Sequence, residues 1–169
     1  MNPPEKKWLV FYTKSRHEKK VEELLEKRGV EVYLPMQKII RQWSDRKKKV
    51  EVPLFNSYIF VFEVEAKISE ILSIPGVAWN IRHNDKPAQL RTKELDLIRR
   101  FVNTGLFIET YSIDNLQEGD QVEILDGPLK GISGVLTHAD EGGKFSVALA
   151  IIGQVIQVKI DKWMLKRQN

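Results

Sequence analysis

The spacing of apolar residues changes period several times along the chain, and each change marks an element. Residues 7–13, Lys7-Trp8-Leu9-Val10-Phe11-Tyr12-Thr13, form a near-continuous aromatic and β-branched run, the pattern of a strand buried on both faces. The period then lengthens to that of a helix. Val21, Leu24 and Leu25 fall on one stripe, Ser15 precedes Glu18 at capping-box spacing, Glu23 and Lys27 make an i,i+4 pair, and Gly29 offers a left-handed stop. Residues 30–35 read as a second strand. Two β-like runs, residues 39–43 and 49–52, flank the polar turn Ser44-Asp45-Arg46-Lys47, which predicts a protruding hairpin with a cationic tip. Residues 55–62 form another strand, whose alternation puts Tyr58, Phe60 and Phe62 on one face and Ile59 and Val61 on the other. Residues 66–73 carry Ile68, Ile71 and Leu72 at helical spacing up to Pro75-Gly76, and residues 77–82 are again strand-like. A last helix starts at a Thr92 cap, aligns Leu95, Ile98, Phe101 and Val102, and closes at Gly105.

This order predicts an α+β fold: an N-terminal α/β sandwich, residues 1–108, with helices packed on an antiparallel sheet. Residues 109–118 lose periodicity and read as a surface linker. Beyond them helical signals vanish. Short β runs at 121–125, 133–138, 145–152 and 154–160, punctuated by Gly127-Pro128, Gly142-Gly143 and Gly153, predict a small all-β barrel over 119–169. About 50 residues is a marginal core. The barrel is therefore expected to pack Val122, Ile124, Val135, Val147, Leu149, Val158 and Ile160 inside.

Composition narrows the function. The chain of 169 residues is 42% hydrophobic and 30% charged, ordinary for a globular protein. No stretch approaches the roughly 20 apolar residues of a membrane span, and residues 1–7 lack the apolar core of a secretory signal, so a cytoplasmic protein without membrane association is expected. There are no cysteines, and His17, His83 and His138 are too far apart for a ligand motif, so no metal and no cofactor are expected. Neither Gly-x-x-x-x-Gly-Lys nor Gly-x-Ser-x-Gly occurs, and Glu22, Glu23 and Glu26 read as helix-surface residues. No catalytic residue is assigned, and the chain reads as a non-enzyme. Charge divides unevenly: residues 1–108 carry 21 Lys and Arg against 14 Asp and Glu, a net of +7, and residues 109–169 carry 6 against 9, a net of −3. The basic half suits a polyanionic neighbour, and the acidic half argues against nucleic acid as its main partner.

Two segments carry recognition. In residues 119–136, Gly127 and Gly131 suit positive φ, Pro128 fixes a bend and Gly134 admits neighbouring backbone. With Gly119, Asp120 and Lys130, this segment closely resembles the KOW motif. Residues 53–61, Pro53-Leu54-Phe55-Asn56-Ser57-Tyr58-Ile59-Phe60-Val61, together with residues 8–14 and 31–35, resemble the NusG N-terminal domain. The tandem makes the resemblance specific, and it spans about residues 7–166. It implies a transcription elongation factor that performs no chemistry and works as a single chain. Its first domain would grip the clamp-helix coiled coil of the RNA polymerase β′ subunit through an exposed apolar depression. By motif position Tyr12, Leu34, Pro35, Phe55, Tyr58 and Phe60 would line that depression, while Trp8 and Phe62 read as core.

In family members this domain lies beside upstream DNA and the exposed non-template strand. Lys14 and Arg16 on the strand-to-helix loop, and Arg46, Lys47, Lys48 and Lys49 at the hairpin tip, are thus candidate phosphate contacts, with His17 and Trp43 able to stack on a splayed base. Lys19 and Lys27, interleaved with acids, read as a solvated helix face. The barrel would contact a ribosomal protein or Rho. The hairpin text Arg41-Gln42-Trp43-Ser44-Asp45-Arg46-Lys47-Lys48-Lys49 resembles UpxY-type paralogues, which are antiterminators of surface-polysaccharide operons. Asn56-Ser57, where housekeeping members commonly show Pro-Gly, points the same way. Some antiterminators of the family hide the polymerase site beneath a helical form of the barrel domain, but residues 145–160, β-branched and alternating, give no support for such switching. The rival reading is a ribosome- or RNA-binding KOW protein acting in translation.

Overall fold

The structure is a computed structural model that describes residues 2–139 and 142–168. The chain forms two compact units, one from the residues up to Pro35 with Phe55–Leu95, the other from Met36–Leu54 with the residues from Asp96 onward.

The first unit begins with β1 (Lys7–Thr13), α1 (Glu18–Lys27) and β2 (Glu31–Tyr33). The chain then forms β3 (Met36–Gln42) and β4 (Lys47–Pro53), which are the hairpin of the second unit. It returns to the first unit with β5 (Tyr58–Glu63), a 3-10 turn leading into α2 (Ile68–Leu72), and β6 (Val77–Asn80). The tiny hairpin of β7 (Arg82–His83) and β8 (Lys86–Pro87) follows, then β9 (Gln89–Leu90). The sheet runs β2-β5-β1-β6, antiparallel where paired, with β9 joined to β1. Register on the central pair sets Trp8 opposite Phe62, Val10 opposite Phe60 and Tyr12 opposite Tyr58. The other face of these strands, Leu9, Phe11, Ile59 and Val61, packs with Val21 and Leu25 of α1 and with Ile71, Ile74 and Val77 into the core. Each such side chain contributes roughly 1.5–3 kcal/mol on burial.

Several local expectations are corrected. Ser15 does not cap α1. The helix starts at Glu18, His17 occupies the cap position without a capping side chain, and Arg16 has turned to φ 63. Glu18 faces inward instead, and its Oε1 accepts the Ser57 N–H at 2.9 Å. β5 starts three residues later than its apolar run because residues 54–57 turn, with Ser57 at φ 67, where a β-carbon is disfavoured. Thr92 is the first residue of α3 (Thr92–Asn103) rather than its cap. The Arg91 carbonyl accepts the Leu95 N–H, and Glu94 Oε2 accepts the Arg91 N–H at 2.7 Å, the reciprocal half of a capping box. The strand expected over 77–82 stops at Asn80, and the Asn84-Asp85 pair, at φ 50 and 61, turns β7 into β8.

Glu22 of α1 is half-buried, and burial raises its carboxyl pKa, with Glu26 and Glu23 adding to the rise and Lys19 opposing it. A carboxyl pKa raised by folding penalises the ionised form, so the cost is present above the folded pKa and disappears as pH falls through it. Glu22→Gln is expected to raise the thermal midpoint slightly at pH 7, and acid titration of both proteins should show that advantage vanish.

In the second unit, β10 (Glu109–Ser112), β11 (Asp120–Ile124), β12 (Ser133–Ala139), β13 (Gly142–Leu149), β14 (Gln154–Ile160) and β15 (Leu165–Arg167) form one antiparallel sheet in the order β10-β14-β13-β12-β11-β15. The fold is thus α+β, with an all-β C-terminal part as a KOW module requires. Residues 109–112, aperiodic in sequence, pair with β14 rather than running free. Val122, Ile124, Leu149 and Val158 are buried as expected, whereas Val135, Val147 and Ile160 are only half-buried. Leu136 and Phe145, opposite each other in the β12–β13 register, fill the interior in their place. Gly134 is the reason. A β-carbon there would lie 2.7 Å from the Phe145 ring, so the absent side chain is what admits it. At the hairpin base, the Gln37 side-chain amide donates to the Ile108 carbonyl at 2.9 Å and accepts the Ile108 N–H at 3.1 Å, and the Thr110 hydroxyl donates to the Leu54 carbonyl.

Candidate functional site

On the sheet face opposite the helical core, β1, β5 and β6 bring aromatic rings together. Tyr12 meets Tyr58 edge-on at 5.4 Å and stacks on Trp79 at 4.4 Å with an interplanar angle of 13°. Phe60 meets Phe55 edge-on and Tyr33 face-on, each at 6.4 Å, and Trp8 leans on Phe62 at 5.1 Å. The six residues expected to line an exposed depression divide in two. Tyr12 and Tyr58 are half-buried, while Leu34, Pro35, Phe55 and Phe60 are buried, Phe60 at 0% exposure. The most open aromatic of this face is Trp79, 53% exposed, which sequence reasoning assigned no role. Its signal was the strand run Val77-Ala78-Trp79-Asn80, but only the β1–β6 register, with Tyr12 opposite Trp79, puts it on this face. Stacked and edge-on pairs of this kind contribute roughly 0.5–1.5 kcal/mol each, so the rings stabilise one another's placement at the exposed edge. An aromatic edge open to solvent suits an apolar protein surface.

The expected cations lie on two loops. Lys14 and Arg16 are exposed beside the start of α1, and His17, half-buried, places Nδ1 2.8 Å from the Ser15 carbonyl oxygen. On the hairpin, Arg46, Lys47, Lys48 and Lys49 are exposed, as is Arg41, opposite Lys48 in the ladder. Lys48 Nζ sits 5.3 Å above the Trp43 ring. Trp43 itself is 46% exposed.

The KOW segment forms the turn between β11 and β12. Gly127 and Gly131 take φ 83 and 86, as expected, and Asp126 Oδ1 accepts the Gly127 N–H at 2.8 Å. The Pro128 and Lys130 carbonyls accept bonds from the Arg100 guanidinium, the shortest 2.7 Å. Gly119 lies against the Leu136 carbonyl, and Asp120 pairs with Arg167 at 3.1 Å. These residues shape and brace the turn. Lys130 is exposed.

Among the described residues, no group of three or more His, Asp or Glu is placed to hold a metal ion, and no helix is long and apolar enough to cross a membrane.

Residues 6–99 match the family model described as NusG, transcription termination factor nusG. The transcription termination/antitermination protein NusG of Borreliella burgdorferi is 29% identical over 175 residues, spanning 91% of this chain and 94% of that protein. Its counterpart in Neisseria meningitidis serogroup B is 25% identical over 178 residues, spanning 97% and 99%. A solved structure titled for the domain interaction in Thermotoga maritima NusG covers 98% of both chains with a TM-score of 0.60 at 24% identity, a likeness of fold. With the family match covering most of the sheet unit and full-length relatives continuing through the barrel, the chain belongs to the NusG family of transcription termination and antitermination factors.

Proposed function

We propose that this protein rides on RNA polymerase, with the Tyr12–Tyr58–Trp79 edge seated on the clamp-helix coiled coil of the β′ subunit, and acts in the cytoplasm as a specialised antitermination paralogue. The observation that carries the polymerase contact is the aromatic edge on the sheet face away from the helical core, open at Trp79. Phe60 and Phe55, buried and edge-on to each other, belong to the fold rather than to that edge. The paralogue assignment rests on the hairpin text and on Asn56-Ser57. Ser57 holds a left-handed conformation that glycine adopts at less cost, so this chain keeps serine there against backbone preference. Residues 1–108 serve as the polymerase-binding domain, 109–118 as its connection, and 119–169 as a barrel that presents the KOW surface to a ribosomal protein or Rho. Lys14, Arg16 and the hairpin cations face the phosphates of the neighbouring DNA.

Retention of core RNA polymerase from lysate tests the contact. Tyr58→Ala combined with Trp79→Ala is expected to weaken it at least about thirtyfold, as truncation of two interface aromatics does. Undiminished retention by this double variant would sink the polymerase reading, and retention of ribosomes without polymerase would favour a role in translation. Transcription in vitro past a pause and a terminator should show increased readthrough when the protein is added.

A further inference from the structure

We infer that Glu18 is a positioning residue of the aromatic edge: its carboxylate holds Ser57 in the left-handed turn before β5 and thereby sets where Tyr58 and Tyr12 stand. The inference deepens the proposed polymerase contact and rests on that reading for its functional consequence.

Glu18 opens α1 and is buried, with 6% of its surface exposed. A carboxylate in such a place is costly unless hydrogen bonds or opposite charge meet it. Among the described residues, no cation pairs with it. The first turn of α1 offers it the positive end of the helix dipole, and the Ser57 N–H donates to its Oε1 at 2.9 Å. The acid is thus directed at one main-chain donor far away in the chain.

Ser57 is the residue that needs this bond. Its φ of 67 lies where a β-carbon is disfavoured, and it is only 7% exposed. An L-residue stays in such a conformation when its surroundings over-determine it. Here the N–H is held by Glu18, and the carbonyl accepts the Thr13 N–H at 2.8 Å. Both ends of this peptide lead to the aromatic edge. Ser57 is joined covalently to Tyr58, the first residue of β5, and through its carbonyl to Thr13, the neighbour of Tyr12. Tyr12 and Tyr58 are the last pair of the β1–β5 ladder, and the β1–β6 register shifts between Tyr12 and Thr13. Regular pairing therefore gives out where the two tyrosines stand, and the Glu18–Ser57 bond takes over their placement. Trp79 follows, since it stacks on Tyr12 at 4.4 Å. Without Glu18 the Ser57 N–H loses its acceptor, and relaxation of φ to negative values turns Tyr58 away from Tyr12. Glycine at 57 holds the same turn unaided, so the dependence on Glu18 is a property of the serine.

Two readouts on the full chain test the role: the NMR resonance of the Trp79 indole N–H, identified by its absence from Trp79→Ala, and affinity for purified core RNA polymerase. Glu18→Ala is expected to move the resonance and to weaken polymerase binding about tenfold, the scale of one lost hydrogen bond to a charged group. Glu18→Gln keeps an oxygen for the Ser57 N–H and should stay within about threefold of the parent. Adding Ser57→Gly to Glu18→Ala should return the resonance and bring affinity back to within about threefold. Affinities are compared where circular dichroism shows each variant fully folded, a condition under which lost stability alone leaves binding unchanged. Should Glu18→Ala by itself fail to fold, the double variant decides: a folded double variant with the parent's Trp79 resonance supports the role, and one that also unfolds overturns it. An unmoved resonance in Glu18→Ala, or no recovery on adding Ser57→Gly, overturns it as well. If the resonance behaves as expected and polymerase affinity does not follow, the positioning stands and the clamp-helix reading falls.

Discussion

Gly134→Val is expected to unfold the barrel. A β-carbon at 134 would stand 2.5 Å from the Ser146 carbonyl oxygen and 2.7 and 2.8 Å from two atoms of the Phe145 ring. Neither obstacle can yield easily. The carbonyl belongs to β13, whose ladder with β12 pairs Val135 with Ser146, and Phe145 is fully buried. Overpacking of this kind costs about 1–3 kcal/mol even when side chains alone must move, and backbone displacement adds to it. A barrel of this size has about 5 kcal/mol of total stability to lose. Alanine should therefore lower the barrel's stability markedly, and valine should abolish its protected amides in hydrogen exchange. A Gly134→Ala protein melting within about 2 °C of the parent would show that the strand moves aside more freely than its packing implies.

Phe60→Ala is expected to cost about 3–5 kcal/mol, because a wholly buried ring is removed from the centre of the sheet between Tyr33 and Phe55. Urea denaturation should show the midpoint falling by about 2 M, with Phe60→Leu falling much less. The consequence for function is direct. Loss of polymerase binding in Phe60→Ala would report a damaged fold, whereas Trp79→Ala removes a half-open side chain and reports the surface. An unchanged urea midpoint for Phe60→Ala would instead mean that the ring contributes little to the fold and is available for a partner.

Periodicity made much of this legible in the chain. β1 and β14 match their sequence runs residue for residue, and the alternation on β5 separates Tyr58, Phe60 and Phe62 from Ile59 and Val61 as the pleat demands. Glycines announced the turns at 29, 105, 127 and 131, all at positive φ, because a missing β-carbon is a local property. Capping was less legible. Ser15 and Glu18 have the right spacing, but Glu18 gains more by accepting the buried Ser57 N–H, whose unmet bond would otherwise cost about 1–3 kcal/mol. Short strands carry too few residues to show a period, so β10 and β15 emerge only through their pairing with β14 and β11.

The candidate site divides along the same line. That the first half is basic, that Trp43 sits among cations, and that Tyr58, Phe60 and Phe62 share one face are properties of composition and of the two-residue strand repeat, so the sequence by itself determined them, whereas Tyr12 joins that face through the β1–β5 register. Which of those rings reaches solvent is decided by packing between residues far apart in the chain. Trp79 joins Tyr12 only through the β1–β6 register, Phe60 disappears between Tyr33 and Phe55, and Phe145 takes the barrel interior only because Gly134 across the ladder has no side chain. Periodicity fixes the face on which a side chain lies, while burial depends on what the rest of the fold lays over that face.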